Sequence, residues 1–406
     1  MTKIVLIIAD GLGDRPIAEL GYQTPLEAAT TPHLDRMAKE GICGQMHTID
    51  VGVRPGSDVA HLHIFGYPMG EAYSGRGVFE VLGVGMDLQR GDIAFRGNLA
   101  TMEGGKLKDR RAGRMSSSLV IEPGMKVQIE DVTFLLSPAV SHRVGVIMRG
   151  PGLTHDILDV DPHNTGEAPR RKLAKDTRKE SQKTERVINA FVDHMAAYLC
   201  NHPKIKQLKA EGKPHGNFLS LRGAGEHIHL LSFKEKYGLT ACCISGAGLY
   251  KGVARAVGMD ILNVEGATGT LDTNLDAKVK ACVEQLPKYD FVFVHMKFAD
   301  SLAEVGDFKG KKVFIERIDK SLAPLLKMED TVVFFSGDHS TACSLKAHSG
   351  DPVPAVFWGP RTVVRTDACT SFGERACQQG GMGHFKGLDV MQELLNLAGK
   401  QHLVGN

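Results

Sequence analysis

Carboxylate and imidazole side chains, the types that most often hold catalytic divalent metal ions, occur together in three segments of this chain. Asp338 and His339 stand side by side, and His348 follows nine residues after His339. Asp10 and Asp300 each come shortly after an apolar run. A single Asp-His pair is also typical of a solvated turn. Its repetition in related form at three places favours a metal site.

Each polar segment follows a run that predicts a buried β-strand. The runs Lys3–Ala9, Tyr289–His295 and Thr331–Phe335 are rich in valine, isoleucine and phenylalanine, as expected of parallel strands covered on both faces. Because the carboxyl ends of such strands meet at one edge of a sheet, we expect the polar residues to converge. The turn after the first strand lacks G-x-G-x-x-G, and Asp10 there would repel a pyrophosphate, so a dinucleotide site is not predicted.

Ser57 is the candidate nucleophile. It follows Pro55 and Gly56 and precedes a helix-like segment, which places its hydroxyl at a helix N-terminus, where backbone N–H groups favour phosphate. The same pattern is typical of a simple N-cap formed by Ser57 or Asp58. The segment is not the G-x-S-x-G motif of hydrolases. Two metal ions beside Ser57 would activate its hydroxyl for phosphoryl transfer.

Arginines next to glycines are concentrated between residues 73 and 114. Guanidinium groups on such loops suit bidentate capture of phosphate or carboxylate, although a single arginine is more often an ordinary surface residue. Two histidines are weaker candidates, since each also fits an ordinary surface position. The predicted substrate-binding residues are Arg76, Arg96, Arg110, Arg111, Arg114, His142 and His163.

A change of pattern in the middle of the chain predicts a second domain. Alternating apolar residues over 127–136 and 142–148 predict strands of a separate antiparallel sheet, and 187–200 has helical spacing. The α/β rhythm resumes with a predicted strand over 217–221. We therefore expect an α/β fold in which a doubly wound sheet carries an inserted, smaller α+β lid domain. The expected core spans residues 1–75 and 217–406, and the expected insertion spans 76–216.

Charge and composition exclude several classes of function. Lys and Arg total 49 and Asp and Glu total 47 among 406 residues, a net charge of +2. This balance gives no electrostatic reason to expect binding to nucleic acid or to a membrane. Eight cysteines without a C-x-x-C pair predict reduced, buried thiols. With neither a leader segment nor a membrane-spanning run in the sequence, we expect a cytoplasmic protein; its oligomeric state, a homo-oligomer included, is left open.

Seven motifs resemble those of the archaeal-type, cofactor-independent phosphoglycerate mutases of the alkaline phosphatase superfamily. They are I-A-D-G-L-G-D at 8–14, P-G-S-D-x-A-H-L at 55–62, D-R-R-A-G-R at 109–114, G-A-T-G at 266–269, V-H-x-K-x-x-D at 294–300, D-H-S-T at 338–341 and A-H-S-G-D-P-V-P at 347–354. They cover nearly the whole chain in the family's order. The resemblance implies an alkaline-phosphatase-like fold and a metal-dependent interconversion of 3-phosphoglycerate and 2-phosphoglycerate, a step of glycolysis and gluconeogenesis, through a phosphoserine at Ser57.

The resemblance also implies two divalent metal ions. Asp10, Ser57, Asp338 and His339 would hold one ion, and Asp300, His348 and a third residue would hold the other. At the third position the family has a histidine, whereas this chain has Glu304. Spaced four residues apart on a helical turn, Asp300 and Glu304 can face one ion. The extra oxygen ligand favours manganese or magnesium over zinc.

Glu304 also motivates alternatives to the mutase. One is a related phosphotransferase on the same scaffold, such as a kinase of a small hydroxy amino acid like homoserine, or an enzyme of phosphonate metabolism. Another is a catalytically inert homologue that keeps the fold. For the mutase, the inserted domain is expected to be a lid that excludes water and supplies arginines to a small phosphorylated hydroxy acid.

Overall fold

The computed structural model of the protein describes residues 2–227 and 229–403. It divides into two compact units. The core unit comprises Met1–Ala72 and Leu231–Asn406, and the inserted unit comprises Tyr73–Leu230. Each unit has its own sheet and its own hydrophobic core.

The strands are, in chain order, β1 (Lys3–Ala9), β2 (Ile42–His47), β3 (Ile93–Glu103), β4 (Lys106–Asp109), β5 (Met125–Ile129), β6 (Val132–Pro138), β7 (Arg143–Arg149), β8 (Phe218–Glu226), β9 (Ala241–Ile244), β10 (Asp260–Leu262), β11 (Phe291–Met296), β12 (Thr331–Ser336), β13 (Ser340–Ala342), β14 (Ala347–Ser349), β15 (Val353–Trp358) and β16 (Gly383–Lys386).

The helices are, in chain order, α1 (Pro32–Glu40), α2 (Ser57–Ile64), α3 (Met69–Ala72), α4 (Arg76–Gly83), α5 (Lys179–Asn201), α6 (Pro203–Ala210), α7 (Phe233–Tyr237), α8 (Gly248–Ala256), α9 (Leu275–Gln285), α10 (Phe298–Glu304), α11 (Phe308–Ser321), α12 (Glu374–Cys377) and α13 (Gly387–Leu397). Within the described ranges, no helix is long and apolar enough to cross a membrane.

The core unit is built on a sheet of the order β10-β9-β11-β1-β12-β15-β2-β16. Strands β10, β9, β11, β1 and β12 run parallel, as the apolar runs predicted. The strand β15 is antiparallel to both of its neighbours. Because β11, β1 and β12 are adjacent and parallel, their carboxyl ends bring Asp10, Asp300 and Asp338 to one edge of the sheet.

The inserted unit contains an antiparallel sheet in which β4, β7 and β8 all pair with β3. Helix α5 covers it, with Phe191 stacked on Phe134 of β6 at a ring distance of 3.9 Å. The segment 127–136, predicted as one strand run, is instead a hairpin of β5 and β6. Glu130, with a φ of +52°, forms the turn.

The expected domain boundaries differ from those observed. Residues 217–230, expected in the core, belong to the inserted unit, because β8 pairs with β3 from Phe218 opposite Ala100 to Glu226 opposite Ile93. Tyr73–Gly75 also belong to the inserted unit. A Cβ atom on Gly75 would lie 2.0 Å from the Ala224 carbonyl oxygen, so only glycine permits this approach of the two backbones.

Candidate metal centre and nucleophile

Asp10, Asp338 and His339 form the first group of predicted ligands. One ligand atom from each lies within 4.8 Å of the others. His339 Nε2 is 3.4 Å from Asp10 Oδ1 and 3.3 Å from Asp338 Oδ2. At most 1% of each residue is exposed, so the group lies in the interior at the ends of β1 and β12. These residues lie up to 329 positions apart in the sequence, and the parallel strands bring them together.

The polar atoms of this group suit a cation. Asp10 Oδ1 and Asp338 Oδ2 are buried and accept no hydrogen bond from any described residue. Burial, together with the charge of Asp10, raises the pKa of Asp338 well above its usual value. Burial likewise raises the pKa of Asp10, although Lys297 opposes this effect. Two buried carboxylate oxygens without donors are costly unless a positive charge neutralises them, and a divalent metal ion would do so.

Asp300, His339 and His348 form the second group, again with one ligand atom of each within 4.8 Å of the others. His348 Nε2 is 3.4 Å from Asp300 Oδ1, and its ring stacks on that of His339 at 3.6 Å. The His348 Nδ1–H donates to the Pro55 carbonyl over 2.9 Å, which leaves Nε2 facing the carboxylate. Burial alone would raise the pKa of Asp300, but His348 and Lys297 hold it below its usual value.

Ser57 lies beside both groups. It is the first residue of α2 and is 7% exposed. Its Oγ is 3.2 Å from His339 Nε2. Gly56, in extended conformation, is the N-cap, and Ser57 is the first residue inside the helix. The alternative of a simple N-cap role for Ser57 is therefore wrong.

Lys297 contributes the positive charge nearest to the ligand carboxylates. Its Nζ donates to Asp10 Oδ2 over 3.0 Å and to Asp300 Oδ2 over 2.8 Å. Burial works to lower the pKa of Lys297, but the two carboxylates hold it well above its usual value. Tyr250 also donates its hydroxyl hydrogen to Asp10 Oδ2. Asp10 Oδ2 is thus satisfied by the protein, whereas Oδ1 remains available to an ion.

Hydrogen bonds behind the ligands fix their orientation. His339 Nδ1 lies 3.1 Å from Thr341 Oγ1, which donates to Asp300 Oδ1 over 2.9 Å. Because Thr341 gives its hydrogen to Asp300, His339 Nδ1 is the donor, and Nε2 carries the free lone pair. His61, whose Nδ1 is 2.6 Å from the Ser57 carbonyl oxygen and 3.6 Å from Asp338 Oδ2, stands behind the nucleophile.

A buried ammonium group ties together the loops that carry the ligands. Lys311 of α11 is fully buried and donates to the carbonyl oxygens of Gly13 and Thr341, over 3.0 Å and 2.9 Å. Its third contact is Asp14 Oδ2 at 2.9 Å. The loop after β1 and the hairpin after β12 are thereby joined through one residue.

Glu304 does not join the predicted ligands. It is the last residue of α10 and is exposed, and it belongs to neither ligand group among the described residues. Asp300, in the first turn of the same helix, is 3% exposed. The expectation that a helical turn would direct both carboxylates to one ion is not met. The preference for manganese or magnesium that we based on Glu304 loses its structural reason.

The predicted arginines lie in the inserted unit, where some of them surround a buried carboxylate. Glu80 Oε1 is 3.3 Å from Arg76 Nε and 3.4 Å from Arg96 Nη1. Burial raises the pKa of Glu80, but Arg96, Arg143 and Arg76 outweigh it and lower the value. We call Glu80, Arg76, Arg96, Arg143 and Arg222 the arginine cluster. The cluster has four guanidinium groups for one carboxylate, and burial together with the neighbouring guanidinium groups lowers the pKa of Arg96.

The other predicted substrate contacts are dispersed over the same unit. Arg110 makes a bidentate pair with the buried Asp161 at 2.9 Å and 2.8 Å. Arg111 and Arg114 are exposed. Burial and nearby arginines, these two among them, lower the pKa of His142 to about 4, so its imidazole is neutral at pH 7. His163 Nε2 lies 2.9 Å from Asp159 Oδ2, and nearly half of its side chain is exposed.

Sequence reasoning missed Lys297, Tyr250, Arg143 and Arg222. Lys297 lies inside the V-H-x-K-x-x-D motif, so a signal was present in the sequence. Arg222 stands directly opposite Arg96 in the pairing of β8 with β3. It was missed because residues after 217 were assigned to the core. Tyr250 lies on α8, far from every motif we identified, and only the fold brings it to Asp10.

Comparisons with known proteins agree with this geometry. A sequence profile of the Metalloenzyme superfamily matches residues 2–397. The 2,3-bisphosphoglycerate-independent phosphoglycerate mutase 1 of Methanocaldococcus jannaschii is 43% identical over 99% of this chain and 99% of its own length. The corresponding mutase 1 of Archaeoglobus fulgidus is 41% identical over 98% of this chain and 99% of its own.

Two solved structures are similar to this chain over nearly its full length. A protein of Pyrococcus horikoshii superposes with a TM-score of 0.86 and 38% identity, covering 100% of this chain and 99% of its own. The cofactor-independent phosphoglycerate mutase of Thermoplasma acidophilum superposes with a TM-score of 0.72 and 34% identity, covering 98% of this chain and 100% of its own.

Proposed function

Because this chain belongs to the 2,3-bisphosphoglycerate-independent phosphoglycerate mutases of the metalloenzyme superfamily, we propose that it isomerises 3-phosphoglycerate and 2-phosphoglycerate through a phosphoserine at Ser57. The observation that carries the phosphoserine step is the 3.2 Å contact of Ser57 Oγ with His339 Nε2, inside a group of buried acids and imidazoles. Ser57 is the first residue of α2. The free backbone N–H groups of the first helical turn would therefore favour a phosphate on Ser57 Oγ.

The proposed reaction has two matched transfers. Ser57 Oγ forms a bond to phosphorus while the bond from phosphorus to the C3 oxygen of 3-phosphoglycerate breaks. The serine loses its proton and the C3 oxygen gains one. The C2 hydroxyl then takes the phosphoryl group and loses its proton, while Ser57 regains one. No water is consumed, so the products are 2-phosphoglycerate and unchanged enzyme.

The protein is a metalloenzyme that depends on divalent metal. We propose two ions, the first held by Asp10, Ser57, Asp338 and His339. The second would be held by Asp300 and His348. When bound, such ions neutralise phosphoryl oxygens and make a serine hydroxyl more acidic. Lys297, between Asp10 and Asp300, supplies a fixed positive charge of its own for the transferred group.

The inserted unit is proposed to bind the substrate's anionic groups. The arginine cluster and Arg110, Arg111 and Arg114 present planar, bidentate donors, which suit the carboxylate and phosphate of a small phosphorylated hydroxy acid. His142, being neutral, and His163 are proposed as hydrogen-bonding groups at this surface. Eight free cysteines fit a reaction located in the cytoplasm.

A second candidate function retains phosphoryl transfer but changes the acceptor. Glu304 favours it, because this residue replaces a family histidine and stands apart from the ligand groups. A kinase of a small hydroxy amino acid would consume ATP and form the same phosphoserine. The donor and the acceptor of the phosphoryl group, rather than Ser57, therefore separate the two functions.

The test incubates the protein with 3-phosphoglycerate and Mn²⁺ or Mg²⁺, without bisphosphoglycerate or ATP, and follows 2-phosphoglycerate by NMR. Rapid acid quench and peptide mass spectrometry then look for phosphate on Ser57. We expect product from the wild type and loss of both signals in Ser57→Ala. Ser232→Ala, which removes the N-cap of α7, is the matched control and should keep both.

Two outcomes would decide against the proposal. Product formation by Ser57→Ala at the wild-type rate would exclude Ser57 as the nucleophile. Absence of 2-phosphoglycerate with every divalent metal tried, combined with ATP-dependent phosphorylation of a hydroxy amino acid, would establish the second candidate function instead.

A further inference from the structure

Three cysteines and an aspartate gather in the core unit at a place that the proposed reaction does not use. Cys43 Sγ, Cys369 Sγ and a carboxylate oxygen of Asp367 all lie within 4.8 Å of one another. The Cys43 thiol neighbours the thiols of Cys377 and Cys369, and the Cys369 Sγ–H donates to the Ala376 carbonyl oxygen over 3.3 Å. We call these four residues the thiol cluster. Its donors come from three parts of the chain, namely β2, the loop 367–369 and α12.

The three thiols of the thiol cluster are buried, and Asp367 at its edge is partly exposed. Cys43 and Cys377 are fully buried and Cys369 is 5% exposed. A metal site with an open coordination position serves catalysis, whereas a site closed by four protein ligands is structural. Cys43, Cys369 and Asp367 supply three ligand atoms within 4.8 Å of one another, and the thiol of Cys377, a neighbour of Cys43, would supply the fourth that a tetrahedral zinc-type ion takes.

The backbone around the cluster is held in place by the carboxylate. Asp367 Oδ2 accepts the backbone N–H of Cys43 over 2.7 Å and that of Gly381 over 2.8 Å. Asp367 Oδ1 accepts the N–H of Cys369 over 2.9 Å. These bonds fix the side chain that would complete the ligand set, as outer hydrogen bonds do in metal centres.

The segment that carries the ligands is wrapped closely around β2. Met382 donates its backbone N–H to the Cys43 carbonyl oxygen over 3.0 Å. A Cβ atom on Gly380 would lie 2.1 Å from that same oxygen, so a side chain there would force the segment away. Cys43, Cys369 and Cys377 are therefore kept in contact by the backbone itself, before any ion is bound.

From this arrangement we propose that Cys43, Cys369, Cys377 and Asp367 form a structural site for a soft divalent ion of the zinc class. Three neutral thiols would each release a proton to solvent as the ion binds. The ion would join strand β2, which lies between β15 and β16, to the segment 367–382. The catalytic ligands are carboxylates, imidazoles and a hydroxyl, so the two kinds of site select different ions.

Co²⁺ distinguishes the two kinds of site, because thiolate ligands give it intense near-ultraviolet charge-transfer absorption that carboxylate and imidazole ligands do not. The test titrates the reduced, full-length protein with Co²⁺ without oxygen. We expect this absorption in the wild type and its loss in Cys43→Ser and Cys369→Ser. Cys282→Ser changes an equally buried cysteine outside the cluster and should retain it. Asp338→Asn alters only the catalytic group and should retain it too.

The wild-type spectrum decides the matter even where a serine variant fails to fold. A wild type without charge-transfer absorption overturns the proposal. So does absorption that survives in both cluster variants, or a Cys43–Cys377 disulfide found by peptide mass spectrometry in protein kept reduced. As a second measurement, Zn²⁺ should raise the Tm of Asp338→Asn by more than that of a Cys43→Ser/Asp338→Asn double variant, which keeps only the remaining catalytic ligands, such as Asp300 and His348, to bind it.

Discussion

Buried charge is arranged in opposite ways in the two units. In the core unit, Asp10 and Asp338 each retain a buried carboxylate oxygen that receives no hydrogen bond from a described residue. In the inserted unit, Arg110 donates to both carboxylate oxygens of Asp161, and Arg96 pairs with one oxygen of Glu80. Further guanidinium groups lie close to Arg96. The first arrangement has excess negative charge and suits a cation. The second has excess positive charge and suits an anion.

This difference follows from the two kinds of sheet. Strand ends of a parallel sheet collect acids at one edge, whereas cross-strand pairs of an antiparallel sheet bring arginines side by side. Each arrangement also contains a residue of opposite charge, Lys297 in the first and Glu80 in the second. Variants that change the charge of either arrangement therefore test the comparison directly.

The largest effect is expected from Asp338→Asn. This change removes the ligand charge next to His339, so we expect mutase activity to fall by a factor on the order of 10³ or more, together with metal content. Asp319→Asn is the matched control, because Asp319 is also buried but binds α1 rather than the ligand groups. The measurements are kcat and metal analysis. Unchanged metal content in Asp338→Asn would contradict the assignment of the first ligand group.

Arg96→Gln tests the arginine cluster. We expect kcat/KM for phosphoglycerate to fall by a factor of about 10², and stability to fall by about 3 kcal/mol because Glu80 loses a buried partner. The double variant Glu80→Gln/Arg96→Gln should recover much of the stability but not kcat/KM. Recovery of kcat/KM as well would show that Arg96 only neutralises Glu80 and does not bind the substrate.

Acid should destabilise the inserted unit through His142. Its folded-state pKa of about 4 lies below the usual 6.5, so the folded protein binds this proton less tightly than the unfolded chain does. The contribution is constant above pH 6.5 and is lost as the pH falls toward 4, by on the order of 2 kcal/mol. Chemical denaturation at both pH values should show His142→Asn to be less acid-sensitive than wild type. His194→Asn, which changes an exposed histidine, should behave as wild type does.

The smallest effect is expected from Glu304→Ala. Because Glu304 is exposed and outside both ligand groups, we expect kcat to stay within a factor of about 2 of wild type. Asp300→Ala, at the other end of α10, should abolish activity and serves as the contrast. A large loss in Glu304→Ala would mean that this side chain reaches an ion in the working enzyme.

The sequence predicted those features that depend on local pattern. The apolar runs located β1, β11 and β12, and parallel pairing then placed Asp10, Asp300 and Asp338 together. Pairing across long separations was not predictable. Residues 217–221 have the composition of a core strand, yet β8 joins the other sheet, and this moved the boundary and hid Arg222. The direction of one side chain on a short helix was not predictable either, as Glu304 shows.

Contacts between cysteines far apart in the sequence could not be predicted either. No sequence pattern marks Cys43 as a neighbour of Cys369 and Cys377, because more than 320 residues separate them. We expected buried thiols throughout, but Cys200 is exposed while the other seven cysteines are buried. That seven of them would be buried followed from composition. That three would meet depends on how the segment 367–382 packs against strand β2.

Lys311 has a consequence for how the enzyme can be handled. The same ammonium group holds the loop after β1 and the hairpin after β12 through three hydrogen bonds, and none of these bonds needs an ion. Removal of the metal by a chelator should then inactivate the enzyme reversibly without unfolding it. Dialysis against a divalent metal salt should restore activity without a refolding step.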